Sequence, residues 1–547
     1  MNKKIISFSL IAILLFSGFI TRDNDLYFEI NKGIDLFGRI YKEVTLNYVD
    51  EINPREFVVA GIEGMLQSLD PYSNYIDANE QKDLDLITKG KYGGIGASVG
   101  LRNDEVTILD LLEGYPAKRQ GMRIGDVIKK INDIEINKDN YEQLGNILKG
   151  DIGTSVKLNI KRENEELIFN LIREEIEVKN ISFYGFVPEN SNNAYIKLTG
   201  FSHSAGEELK KALLELKAKN AIKTLVIDLR GNPGGLLDAA IDVCEKFLKK
   251  GDLIVTVKGR DSLSVKKYFS KEEPILSDEK IIILIDEHTA SAAEIVAGAL
   301  QDHDRAVVVG ENSFGKGLVQ TIISLPYGTS LKLTTAKYYT PSGRCIQKID
   351  YSKNNKVFSS NSFSNQKEYF TDNKRKVFSS GGITPDSIIS NNSISGLVER
   401  LKAEGMFFRF ATNYFNINYK IDLEKLDSNQ LMKEFTNYLS KQNYSYTSKS
   451  LKIINQLDES LNTEKLNDVK IQNELAQLKA ELEKKSGIEI QAFKDDIINE
   501  IKEELAARIL GREGRIIQSL KNDKQFRKAY EILSNEKVYM ALLKSYN

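Results

Sequence analysis

Lys280-Ile281-Ile282-Ile283-Leu284-Ile285, running through Asp286-Glu287-His288 into Thr289-Ala290-Ser291-Ala292-Ala293-Glu294, is an apolar hexapeptide that leads through a polar turn into a small-residue helix, Ala290 to Leu300. A short apolar run bounded by turn residues reads as a strand buried on both faces. Leu225-Val226-Ile227-Asp228-Leu229 has the same character, and a helical stretch from Leu236 to Leu248 follows it. Ala306-Val307-Val308-Val309 reads as a third such strand. Strand and helix alternating over residues 190–345 predict an α/β layer with a mostly parallel sheet.

Outward from this core the chain changes character. Residues 81–172 alternate Gly clusters with short strands, among them Gly94-Ile95-Gly96-Ala97-Ser98-Val99 and the strictly alternating Val156-Lys157-Leu158-Asn159-Ile160, and predict a small β-rich module. A polar helix is expected over Asn140 to Leu148. Residues 23–80 form a helical N-terminal region, with Ile34, Phe37, Ile40 and Tyr41 on one helix face and Asp70-Pro71-Tyr72-Ser73 as its closing turn. The core is expected to occupy 173–395, with a Ser-, Asn- and Lys-rich surface insertion at 350–380. Residues 396–547 read as charged helices; Leu475, Leu478 and Leu482 are spaced like a coiled-coil seam, and Glu481 stands i,i+4 to Lys485. This segment looks too poor in apolar positions for a large core of its own, and is expected to pack on the rest of the chain or on a partner. The expected fold class is therefore multidomain α/β, with an inserted β-rich domain, N-terminal helices and a helical C-terminal region.

The 547 residues carry a net charge of −1, which leaves no electrostatic footprint for nucleic acid. Two Cys and three His form no zinc-type cluster, and Cys244 and Cys345 are expected to be free. No metal or cofactor is expected. At the N-terminus, Lys3-Lys4 precedes the apolar run Ile5 to Ile20, which ends abruptly at Thr21-Arg22-Asp23. This is the shape of a secretory signal, residues 1–22, either removed or retained as a membrane anchor. The lysines put the N-terminus in the cytoplasm and the rest outside, so the expected location is the periplasm or the outer face of the inner membrane.

Ser291 lies at a strand-to-helix turn, where a hydroxyl projects from a rigid scaffold and the N–H groups of the first helical turn face the same space. Read alone, it is an N-cap. A nucleophilic Ser needs a base, and nothing around His203, His288 or His303 marks the third, orienting carboxylate of a Ser-His-Asp set. A desolvated Lys serves instead. Lys316, in Asn312-Ser313-Phe314-Gly315-Lys316-Gly317-Leu318-Val319-Gln320, follows the strand at 306–309 and so stands at the edge where open α/β sheets collect their sites. Gln320, four residues on, is placed to hold the amine. The wrong glycine spacing, and the lack of a Ser or Thr after Lys316, exclude a P-loop. Arg230-Gly231-Asn232-Pro233-Gly234-Gly235 offers further backbone donors at the same sheet edge.

Together these segments resemble the C-terminal processing, or tail-specific, peptidases over roughly residues 40–390. Asp228 to Gly235 is similar to that family's oxyanion segment, Thr289 to Ile295 to its nucleophile segment and Ser313 to Gln320 to its lysine segment. Tyr339-Thr340-Pro341-Ser342-Gly343-Arg344 and Gly382-Ile383-Thr384-Pro385-Asp386 match downstream signatures. The resemblance implies that Ser291 attacks, Lys316 takes its proton, Gln320 holds the third catalytic position, and the N–H groups of Ala292 and of Gly234 or Gly235 hold the oxyanion. Upstream, Gly114-Tyr115-Pro116-Ala117 and Gly121 to Ile128 resemble a PDZ domain whose carboxylate-binding loop is Gly93-Gly94-Ile95-Gly96 after Tyr92. Such a loop takes a terminal carboxylate while the peptide adds a strand to the sheet edge. The implied function is an exported serine endopeptidase that recognises protein C-termini. The implied partners are proteins or peptides with accessible C-termini; the resemblance does not reach 396–547, and docking of a protein partner or self-association there is a separate expectation. Two other readings stay open: an exported PDZ scaffold or chaperone with an inactive or partner-gated protease site, and a His-based hydrolase.

Overall fold

The computed structural model describes residues 3–78, 80, 90–141, 144–261, 264–351, 367–390, 396–418, 421–442, 444, 449–464, 466 and 468–544; the side chains of 3–24, 146 and 483–489 lie outside that description. The chain divides into two compact units, 1–78 with 320–334 and 351–362, and 79–319 with 335–350 and 363–547.

The first unit opens with α1 (Lys3–Asn47) and α2 (Pro54–Gln67). Asn53 caps α2 by accepting from the Arg55 N–H, and Pro54 takes the first helical position, where no N–H is needed. Tyr41 stacks on Phe57 at 5.9 Å, and the absence of a Cβ at Gly61 admits the Phe37 ring. Ile34 and Ile40, on the same expected face, stay more than half exposed. Asp70 closes the turn by accepting from the N–H groups of Tyr72 and Ser73, and β1 (Asn74–Ile76) pairs antiparallel with Lys332, Leu331 and Ser330. Among the described residues no helix is long and apolar enough to cross a membrane. The run Ile5 to Ile20 falls in the part of α1 whose side chains are not described.

The second unit begins with the β-rich module. A short strand β2 (Lys91–Gly94) pairs with a later one, and β3 (Ala97–Arg102), β4 (Glu105–Leu111), β5 (Val127–Ile131), β6 (Ile134–Glu135), β7 (Ser155–Arg162) and β8 (Glu165–Ile172) build an antiparallel sheet, with β9 (Glu174–Glu177) returning to β2. The period-2 reading of 156–160 holds: Val156, Leu158 and Ile160 are buried, and their neighbours are not. The expected helix over 140–148 is described only as α3 (Leu144–Leu148). β3 is an edge strand of its sheet.

The core sheet runs in the order β10 (Ile181–Phe186), β11 (Asn193–Leu198), β12 (Thr224–Asp228), β15 (Lys280–Ile285), β16 (Val307–Gly310), β17 (Ser387–Ile388); only β10 is antiparallel to its neighbour. Ile281, Ile283 and Ile285 pack with α4 (Ala205–Lys219), α5 (Leu237–Glu245) and α6 (Ala292–Asp302), while Ile282 and Leu284 belong to a second cluster on the opposite face. That is the physical reason the hexapeptide carries no alternation. Beside it, β13 (Leu253–Gly259) pairs antiparallel with β14 (Val265–Phe269) and with residues 336–339, an arrangement not expected from the sequence.

Two expectations need correction. Within 350–380, residues 352–366 lie outside the described residues, but the part from 367 is packed rather than a surface loop: Glu368–Phe370 pairs with Lys376–Phe378, Val377 is buried, and Arg375 bonds Asp304 and Asp386. The C-terminal helices also make more core than their composition suggested. Gly396–Ala403, Met406–Ile417 and Ser428–Lys441 pool their apolar faces with a long helix, α7 (Lys494–Leu520), around Phe407, Phe410 and Phe435. Then α7, α8 (Lys524–Ser534) and α9 (Glu536–Leu542) lay Ile516, Leu520, Phe526, Ile532 and Leu533 over Val226, Ile282, Leu284, Val307 and Val309. The last helices are thus the second covering layer of the core sheet. Of the expected coiled-coil seam, Leu478 is 45% exposed, and the Lys485 side chain is outside the described part.

Leu533→Ala should therefore lower the stability of the core by about 3 kcal/mol, as for other large-to-small changes in a packed interior. Urea unfolding followed by tyrosine fluorescence measures it; an unchanged midpoint would show that the helices do not bury the sheet.

Candidate active site

Three parallel strands end at one edge, and the turns that leave them are bonded to each other. After β15, Asp286 accepts from the Gly231 N–H (3.0 Å) and the His288 N–H (3.1 Å), tying this turn to the one after β12. The buried Thr289 hydroxyl donates to the Leu229 carbonyl (3.0 Å), and the Ala290 N–H donates to the Asn232 carbonyl (3.0 Å). Asn232, fully buried, gives its side-chain amide to the Leu198 carbonyl and accepts from the Gly234 N–H at 2.8 Å. Gly234 (φ +95°) lies directly against the Ser291 turn: a Cβ there would stand 2.6 Å from the Ala290 carbonyl oxygen and 2.9 Å from Ser291 Cβ. A Cβ at Gly235 would collide with the Phe201 backbone at 2.4 Å. Only glycine fits either place.

Ser291 has φ 55° and ψ −116°, a conformation that costs a non-glycine residue of the order of 1–3 kcal/mol and persists only where the surroundings impose it. Its N–H donates to Glu294 Oε2 (2.8 Å), and its carbonyl accepts from the Tyr338 hydroxyl (3.2 Å) and the Ile295 N–H (3.0 Å). Ala292 follows as the first residue of α6, a position whose N–H has no intrahelical acceptor.

Glu294 is the residue that the sequence reading did not single out. Fully buried, its carboxylate accepts from four groups: Ser291 N–H, Ser313 Oγ (2.5 Å), Gly315 N–H (2.7 Å) and Lys316 N–H (2.9 Å). Because Oε2 takes both the Ser291 and the Lys316 N–H, these two backbone nitrogens lie within about 6 Å of each other. Burial pushes the Glu294 carboxyl up to about 7, outweighing the four donors that favour its charged form. The signal available in the sequence was the Ser-x-x-Glu spacing of Ser291 and Glu294, a capping box; the donors from the lysine loop were not visible there.

The lysine loop is held from behind. The Ser313 N–H donates to the Ile383 carbonyl (3.1 Å) and its hydroxyl accepts from the Ile383 N–H (2.6 Å), Lys348 N–H donates to the Gly315 carbonyl (2.9 Å), and Gln347 Oε1 accepts from the Gly317 N–H (2.6 Å). Gln320 lies in the first compact unit, where its amide donates to Thr334 Oγ1 at 3.2 Å. Of the histidines, His303 has both ring nitrogens engaged, by Asp372 (2.8 Å) and the Leu253 carbonyl (2.7 Å), and His203 and His288 are exposed. No group that could hold a metal ion occurs among the described residues.

At the start of the Gly-rich turn, Asp228 is fully buried among Tyr195 (2.6 Å), Lys197 (3.3 Å) and Arg230, which bonds it through Nε (2.9 Å) and Nη2 (2.7 Å). Burial would raise its carboxyl, yet Arg230 and Lys197 beside it hold it well below the usual carboxylate range.

Residues 192–357 match the model of peptidase family S41, 93–172 that of the PDZ domain, and 397–533 that described as "Probable PDZ-protease, C-terminal helical domain". A carboxy-terminal-processing protease of Bartonella bacilliformis is 37% identical over 343 residues, which cover 62% of this chain and 77% of that one. The chain belongs to peptidase family S41, the carboxy-terminal-processing proteases. A CtpA-like serine protease of Staphylococcus aureus is 34% identical over 309 residues, covering 56% of this chain and 61% of that one. Among solved structures, a photosystem II D1 C-terminal processing protease aligns over 64% of this chain and 86% of that one, with 23% identity and a TM-score of 0.37. This S41 member is thus a serine-type peptidase with a PDZ domain and a C-terminal helical domain, on a core sheet whose C-terminal edge carries Ser291.

Glu294→Gln tests the junction. The amide replaces acceptor capacity with a donor facing buried donors, which should cost about 3 kcal/mol of stability. The pH dependence has a definite sign. The folded-state carboxyl is raised to about 7 from an ordinary 4.5, so its contribution is fully present below about 4.5 and is lost as pH rises through 7. Urea midpoints measured from pH 4.5 to 8 should fall more steeply in the native protein than in Glu294→Gln; parallel curves would refute the assignment.

Proposed function

We propose that the chain is an exported serine endopeptidase whose PDZ domain captures the C-terminus of a protein substrate and whose Ser291 and Lys316 cleave it. The observation that carries this reading is the shared carboxylate oxygen: Glu294 Oε2 draws together the backbone of a strained serine and that of a lysine. In this reading Ser291 Oγ attacks the scissile carbonyl carbon while neutral Lys316 takes its proton. The oxyanion is held by the N–H of Ala292 and that of Gly235, since Gly234 N–H is already given to Asn232 Oδ1. The tetrahedral species collapses to an acyl-enzyme, the leaving amine receives the proton from Lys316, and water attacks the ester with the lysine again as base. Gln320 keeps the third position that the family resemblance gives it.

For recognition, the carbonyls of Gly93, Ile95 and Gly96 accept from Gly150, Ala117 and Leu112. With its acceptors drawn inward, the loop offers donors to a terminal carboxylate, and the edge strand β3 that follows it offers a backbone for strand addition. Export rests on Lys3-Lys4 and the apolar run to Ile20.

The test is cleavage of an unfolded protein with a free apolar tail. Ser291→Ala and Lys316→Ala should each abolish turnover, and Lys316→Arg should not restore it, because a guanidinium cannot act as base at this pH. Ser291→Ala should still bind a tail peptide with a free C-terminus and lose at least tenfold in affinity when the peptide is amidated, measured by fluorescence anisotropy. Full turnover by Ser291→Ala would end the assignment; turnover lost in a variant lacking all three histidines would point to a His base instead.

A further inference from the structure

The Gly-rich turn after β12 is bonded from two sides. Asp286 and Ala290 of the nucleophile turn hold Gly231 and Asn232. On the other side stands Arg230, and its guanidinium is divided between two carboxylates. One is Asp228, two residues earlier. The other is Asp523, nearly 300 residues later in the chain, which meets Nη2 at 2.6 Å; Nη1 donates to Gln525 Oε1 at 2.9 Å. Gln525 is fully buried and gives its amide to the Ile389 carbonyl at 2.8 Å. Both residues sit at the start of α8, in the helical layer that covers the core sheet.

Charge shows what Asp523 adds. Lys197 and Arg230 bring two positive charges to a pocket in which Asp228 supplies one negative, and side-chain exposures are 26%, 11% and 0% for these three. Asp523, 14% exposed, neutralises the cluster. Without it a buried guanidinium keeps one carboxylate where the pocket is shaped for two, and an uncompensated charge in such a place favours movement toward water. Arg230 is the residue immediately before Gly231, so its movement displaces the backbone that reaches Gly234 and Gly235.

We propose that Asp523, with Gln525, is a positioning residue for the peptidase reaction: the C-terminal helical domain fixes the Gly-rich turn through Arg230 and so sets the oxyanion donors. The inference rests on the Ser-Lys reading above and extends it to a residue in the helical domain.

Asp523→Asn is the informative variant, because Asp523 also caps α8 through the Phe526 N–H (2.9 Å) and Asn caps a helix as well as Asp does. The full chain should stay folded with a lowered thermal midpoint, as removal of one partner of a buried pair implies, lose at least tenfold in kcat with KM within twofold, and recover most of kcat in Asp523→Glu. Hydrogen exchange of the amides of residues 231–235 should accelerate in Asp523→Asn, while that of α6 and of β3 to β8 does not change. Unchanged kcat and unchanged exchange in Asp523→Asn would overturn the proposal, as would equal losses in Asn and Glu variants accompanied by a lowered thermal midpoint, which mark a purely structural ion pair. The exchange measurement keeps the two readings apart. If native protein and Ser291→Ala are equally inactive, the Ser-Lys reading fails, and accelerated exchange at 231–235 still establishes that Asp523 holds the turn.

Discussion

A single buried carboxylate organises the site. Glu294 lies in the first turn of the helix that begins after Ser291, and its two oxygens accept from the Ser291 N–H and from three groups of the lysine loop. Removing a carboxylate from water is costly unless its lone pairs are satisfied, and here four donors fill four sites. The arrangement is mutually dependent. The loop from Ser313 to Lys316 contributes donors that need an acceptor, and the strained Ser291 needs a bond that holds its N–H inward. The one carboxyl group therefore ties both backbones together.

The rigidity of this junction depends in turn on a sheet that is buried on both faces. On one side the helices following each strand do this, as the alternation of strand and helix implies. On the other side the cover comes from the end of the chain, where Tyr539 even bonds the N–H and carbonyl of Ile281 through its hydroxyl. A strand such as Lys280–Ile285, apolar at successive positions, cannot be left with one face in water. The C-terminal helices satisfy a requirement already written into the strands, and their ion pair to Arg230 is made where that layer meets the turn.

The sequence made the core strands legible because burial on both faces leaves an unmistakable uniform composition. It made the half-buried strand at 156–160 legible because alternation is equally plain. It did not make the second layer legible. Phe526, Ala529 and Leu533 are correctly spaced for one helix face, but spacing says that a face is covered and not what covers it. The antiparallel pairing of β13 with β14 was missed for a related reason: pairing is a long-range property. At the site, Ser291 and Lys316 were legible through motif order, whereas the φ of 55° at Ser291 and the convergence on Glu294 arise from contacts between segments some 20 residues apart. Local sequence therefore favoured the cap reading, and Glu294, the partner in that Ser-x-x-Glu spacing, is the residue on which the lysine loop converges.

The saturation of Glu294 has a consequence for the base. A lysine that takes a proton from serine has to spend part of its time neutral, and a carboxylate beside an ammonium opposes this by stabilising the charged form. Glu294 binds the lysine segment through backbone N–H groups, and its acceptor sites are filled by the four donors already named. Glu294 thus fixes the backbone of Lys316 through a main-chain donor. Under the proposed Ser-Lys chemistry, main-chain donors separate two demands that an ion pair to Glu294 would join: holding the lysine segment in place, and not adding to the stability of a charged amine.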